Sequence, residues 1–160
     1  MLKIMHKGIH ANLPINKTGL SGIATDDALN AYIQSLKGGR AVTLTSLGVA
    51  LADAGAGSSF LGFLINDAAG YPYENIPALA SGFVSVAYGN CVITTDQINP
   101  VEVFDVGDLI YIGSGANAGL VTKIKPAGAG ANDKAIGMAY SGASVAAPEL
   151  SILVFGPTYA

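Results

Sequence analysis

The sequence predicts a mostly β fold: a small β-barrel domain with an extended N-terminal arm and one short helix. Three observations carry this. Apolar runs of four to six residues recur along the chain, separated by clusters of Gly, Asp, Asn and Ser that favour turns. The stretch Val106 to Lys123 reads as a β-hairpin, in which Leu109, Tyr111 and Gly113 alternate with Ile110 and Ile112 before a Gly/Asn/Ser loop returns the chain into Leu120-Val121-Thr122-Lys123. Only one stretch, at about 26–36, follows the helical period. Regular short strands of this kind close into barrels or pack as sandwiches.

Taken in order, residues 1–24 hold Pro14, lysines at 3, 7 and 17 and dispersed hydrophobics, with no sustained period. We read them as an extended arm that is mobile in solution and orders against a partner, so that its removal leaves the rest folded. Its apolar side chains Leu2, Ile4, Ile9, Leu13, Ile15 and Leu20 are the candidate contacts. Residues 25–160 form a single β-rich domain. Thr25-Asp26-Asp27 starts a helix whose stripe is Leu29, Tyr32, Ile33 and Leu36, and Gly38-Gly39 ends it.

Strands are expected at 41–45, 49–51 and 60–65. Tyr71-Pro72-Tyr73-Glu74-Asn75-Ile76-Pro77 is a connection between the two halves of the fold. Strands at 79–88 and 91–95 form a hairpin about Gly89-Asn90, and a further strand covers 101–104. The hairpin of 106–123 follows, then runs at 135–140 and 150–155. The uncharged stretch Ile76 to Thr95 approaches the length of a membrane span, but Pro77, Gly82 and Gly89-Asn90 break it and its alternation is that of strands, so no membrane is expected. The N-terminus lacks the apolar core and cleavage site of a signal peptide.

Composition narrows the function. Charged residues are 12% of the chain against roughly 25% in ordinary soluble proteins, while 51% are hydrophobic and 21 are glycine. A surface so poor in charge is expected where much of it is covered by other subunits. The net charge of -3 and the scatter of the eight Lys and Arg leave no footprint for nucleic acid. The single Cys91 cannot build a disulfide framework and reads as a small buried hydrophobe.

No pattern completes a catalytic or metal-binding set. His6 and His10 have the spacing of two helical ligands, but Gly8 disfavours a helix and no third ligand lies nearby. Gly55-Ala56-Gly57 and Gly113-Ser114-Gly115 imitate nucleotide-binding loops without the following helix that would face a phosphate. Gly142-Ala143-Ser144-Val145-Ala146 approaches a nucleophile elbow, again with no helix after it and no histidine nearby. The carboxylates stand at strand ends and turns, where Asp serves turn hydrogen bonding. No catalytic residue and no cofactor is expected.

One likeness goes further. Gly107-Asp108-Leu109-Ile110-Tyr111, a turn, a Val-Thr strand, then Ile136-Gly137-Met138-Ala139, a small-residue loop and a terminal β-run resemble, in that order, the head-decoration or cement proteins of tailed bacteriophages, of the lambda-like β-tulip type. Leu61-Gly62-Phe63-Leu64-Ile65 and Phe83-Val84-Ser85-Val86 are similar to the first half of that family, so the likeness covers about 39–156. It implies a non-enzymatic virion protein made in the host cytoplasm. Such a protein seats as a homotrimer on the outer surface of the capsid, binds the major capsid protein and cements the expanded head. The alternatives are a tail or baseplate β-component and a carbohydrate- or host-binding β-module. The latter ordinarily shows exposed aromatics, and this chain has no Trp. A hydrolase is the most distant choice.

Overall fold

The computed structural model describes residues 3–4, 9–14, 35–65 and 83–158. The chain is mostly β, built of two antiparallel sheets of which one is curled into a half-barrel. The strands are β1 (Lys3–Ile4), β2 (Ile9–Pro14), β3 (Ala41–Thr45), β4 (Gly48–Leu51), β5 (Gly62–Leu64), β6 (Phe83–Tyr88), β7 (Cys91–Thr95), β8 (Leu109–Ile112), β9 (Val121–Thr122), β10 (Gly137–Ala139) and β11 (Leu150–Val154). One sheet has the order β1-β7-β11-β10-β8-β9, the other β2-β6-β5-β3-β4. The edge strands β2 and β4 of the second approach one another.

Burial follows two patterns: β5, β9 and most of β3 and β8 are covered on both faces, whereas β11 alternates. In β11, Leu150, Ile152 and Val154 face inward while Ser151 and Leu153 are half-covered, the period of a sheet with one buried face. The main core lies against the six-stranded sheet and includes Phe60, Phe63, Ile93, Ile110, Ile136 and Ile152. Phe60 and Phe63 meet edge to face, with ring centroids 5.2 Å apart at 69°. A second cluster of Leu36, Val42, Val49, Leu64, Val84 and Val86 belongs to the curled sheet. Cys91 is buried in the main core, and burial pushes its thiol up from the ordinary value.

The two sheets are stitched by single polar contacts. Ala41 N donates to Gly119 O and Gly119 N to Ala52 O, both at 2.8 Å. The fully buried Thr95 hydroxyl donates to Gly39 O at 2.9 Å. The half-buried guanidinium of Arg40 reaches Gln97 Oε1 at 3.2 Å and Ala118 O at 3.3 Å, and burial lowers its pKa.

Four expectations need revision or fall elsewhere. Strands β6 and β7 are joined at Gly89-Asn90 but do not pair: β6 lies between β2 and β5, β7 between β1 and β11. The turn is a corner from one sheet to the other, with Gly89 at φ +87° supplying a conformation that L side chains disfavour. Residues 101–104 are not a strand. Only Phe104 makes a bridge, to Ala143, and Glu102 N donates back to Asn99 O at 3.1 Å in a turn begun by Asn99-Pro100. Eight residues of the expected arm are extended, but their partners lie in the chain itself: Lys3 and Ile4 pair with Thr94 and Ile93, and Ile9 to Pro14 pair in full register with Tyr88 to Phe83. Unpaired strand edges are costly to leave open, and this segment closes two of them. Most of the helix at 26–36, and all of the connection at 71–77, lie outside the described residues. Leu36, at the end of that helix, is buried.

Gly137 shows how tightly β10 is seated. A Cβ there would lie 2.7 Å from both Ile152 Cγ2 and Leu153 O on the neighbouring strand. Gly137→Ala is therefore expected to cost about 2 kcal/mol through overpacking, read as an earlier urea midpoint with an unchanged slope. An unaltered midpoint would show that β10 and β11 have room to part.

Candidate interaction surface

The sheet order brings together two segments that are distant in sequence. Residues 103–109 and 138–145 run antiparallel beyond the ends of β8 and β10. Met138 pairs with Leu109, Gly107 N donates to Ala139 O at 2.9 Å, Ala139 N donates to Asp108 O at 2.8 Å, and Phe104 and Ala143 exchange bonds of 2.8 and 3.0 Å. The ribbon ends in a tight hairpin, where Ser144 and Ala147 exchange two bonds of 3.0 Å and leave Val145 and Ala146 at the tip.

The side chains of this ribbon put a carboxylate inside and valines outside. Val101, Glu102, Val103 and Phe104 alternate, but Glu102 and Phe104 face inward while Val101 is 82% and Val103 55% exposed. Val106 (72%), Tyr140 (62%) and Val145 (70%) are also out, with Leu109 half-exposed. Six of the ten large apolar side chains exposed among the described residues thus lie on this ribbon and the turn that feeds it.

Glu102 is what sets the phase. Its Oε1 accepts from the Thr122 hydroxyl at 2.5 Å and from the Asn99 amide, and its Oε2 accepts from Lys123 N at 2.7 Å. A carboxylate with three donors is satisfied enough to be buried. Once it points inward, the valines on either side must point out. At the next turn Asp105 N donates to Asp108 Oδ2 at 2.9 Å, and Lys123 Nζ lies 3.4 Å from the same oxygen. The Asp105 backbone N–H, helped by Lys123, holds the Asp108 carboxyl below its ordinary value. That stabilisation is in place above the ordinary carboxylate pKa and is lost as pH falls through the lowered one.

Two concavities lie elsewhere on the described residues. One, of about 310 Å³, is lined by Asn99, Ser114, Asn117, Thr122, Ile124 and Lys125. Two of its polar groups, the Asn99 amide and the Thr122 hydroxyl, are already committed to Glu102, and Lys125 is paired with Asp133 at 2.9 Å. The other, of about 330 Å³, is apolar and lies where Thr158 bridges to Phe60, with Leu44, Leu61, Tyr88 and Pro157 around it. Neither gathers titratable groups suited to catalysis.

The candidates taken from the sequence are distributed as follows. Leu2, Ile15, Leu20 and His6 lie outside the described residues. Ile4 stands opposite Ile93 in β1, Ile9 opposite Tyr88 in β2, and His10 opposite Ala87. Leu13, opposite Val84, is partly buried against the second cluster. Ser144 sits in the ribbon's hairpin. Among the described residues no three His, Cys, Asp or Glu side chains are grouped as metal ligands, and no helix is long and apolar enough to cross a membrane. Sequence reading missed the ribbon because the alternation Val-Glu-Val-Phe gives a strand but not which face is buried.

No protein-family model matches the chain, and no curated protein matches it.

Proposed function

We propose that this chain is a structural protein of a tailed-phage virion, a capsid decoration protein that binds the outer surface of the expanded head as trimers and cements neighbouring subunits of the major capsid protein. The observation that carries it is the exposed apolar ribbon on a β scaffold in a chain with few charges. Exposed apolar side chains gathered in one region are often functional. The segments that resemble decoration proteins, around Gly107-Asp108 and Ile136-Gly137, form the adjacent strands β8 and β10 and lead directly into the ribbon. In this reading the protein works by covering and bridging, with no catalytic step, cofactor, nucleic acid or membrane involved.

The test is co-sedimentation of purified protein with undecorated, expanded heads of the phage whose genome encodes it. Saturable binding at a simple ratio to capsid subunits is expected, with greater resistance of the heads to heat. Protein that stays in the supernatant at every concentration, while the native virion carries it elsewhere or not at all, would overturn the reading.

A further inference from the structure

We propose that the ribbon docks on a protein surface of opposite make, an apolar strip bordered by lysine or arginine; only the identity of that surface as a capsid rests on the function proposed above. The ribbon together with the turn before it and the residues after its hairpin, 101–109 and 138–149, contains Glu102, Asp105, Asp108 and Glu149 but no Lys, Arg or His. Glu102 is buried and Asp108 is paired with Lys123. Asp105, next to Val106 in sequence, and Glu149, just after the hairpin that carries Val145, remain as exposed acids.

The apolar part is large enough to matter. Six side chains, half to four-fifths exposed, offer roughly several hundred Å². That is the range of the largest apolar patch on a typical monomer, which is often functional. The division of labour follows from physics. Exposed acids at the rim add little affinity but steer encounter and reject acidic partners, whereas desolvated apolar side chains at the centre set the rate of escape. The satisfied Glu102 keeps the central valines presented without collapse.

Two arms test this. The first titrates the protein with a synthetic peptide, Lys-Lys-Val-Thr-Val-Thr-Val-Lys-Lys, and with a counterpart flanked by Glu, following backbone amide resonances. The second measures binding to expanded heads. The variants are Val106→Ser with Val145→Ser, and Asp105→Lys with Glu149→Lys; all four positions are exposed, and unchanged melting temperatures confirm that each variant is folded. With heads, the serine pair is expected to raise the dissociation rate about tenfold or more, and the lysine pair to lower the association rate about tenfold at low salt, the difference closing at high salt.

If heads bind and both pairs behave as wild type, the ribbon proposal is overturned and the capsid reading stands. If heads do not bind, the peptide arm decides. Shifts confined to 101–109 and 138–149, with the Lys-flanked peptide only, uphold the ribbon's chemistry while the capsid reading falls. Shifts elsewhere, equal shifts with both peptides, or none, overturn it as well.

Discussion

Deleting residues 2–20 should lower the melting temperature by roughly 10 °C. The segment contributes β1 and the six-residue strand β2, so its loss strips one whole edge of β6 and removes Leu13 from the second cluster. Each net hydrogen bond is worth about 0.5–1.5 kcal/mol, and a partly buried leucine about 1 kcal/mol or more. The freed chain regains conformational entropy that offsets part of this. A net loss of about 3–5 kcal/mol remains, and for a domain of this size each kcal/mol moves the transition by about 2–4 °C. Calorimetry of the truncated protein is the check. A transition at the wild-type temperature would show that the strands are accessory, as the dispersed hydrophobics of 1–24 first suggest.

The second large effect is at Glu102. Glu102→Leu removes the acceptor shared by the Thr122 hydroxyl, the Asn99 amide and Lys123 N, leaving polar groups without partners in a site only 6% exposed. An unsatisfied buried donor costs about 1–3 kcal/mol, and the partial exposure of Asn99 and Lys123 lets water recover some of it. We expect a loss of about 3 kcal/mol and a transition lower by roughly 6–12 °C. Glu102→Gln, which keeps one acceptor, should lie between. The leucine variant should also release the 99–104 turn, visible as faster amide exchange at residue 102 and Phe104, whose N–H groups bond Asn99 O and Ala143 O. A leucine variant as stable as wild type would mean that the apolar side of the residue, not its oxygens, holds the turn.

The strands were legible where a short apolar run is bounded by turn residues. In β3, β4, β8 and β11 the apolar run and the bounding glycines agree, and each lies within a residue or two of its expected place, although only β11 alternates between a buried and a half-covered face. What failed was pairing and phase. Gly89-Asn90 has the chemistry of a hairpin turn, yet the same glycine conformation serves a corner, and only the competition of β2 and β5 for β6 decides between them. The arm looked unpaired because Lys3, His10 and Pro14 dilute its hydrophobics. Its pairing is carried by main-chain groups, which every residue but proline supplies in full. Glu102 could not be placed from its neighbours, since two of its three donors, Thr122 and Lys123, lie about twenty residues away. The surface thus escaped notice for the same reason that it exists: a buried carboxylate reverses the face on which the valines stand.

The most direct measurement is an electron cryomicroscopy reconstruction of undecorated expanded heads incubated with the purified protein. Added density is expected on the outer surface at three-fold or quasi-three-fold positions, with the end of the molecule that carries Val106, Tyr140 and Val145 turned toward the shell. Bare shells at saturating protein would contradict the capsid function, and decorated shells with that end facing solvent would contradict the assignment of the ribbon.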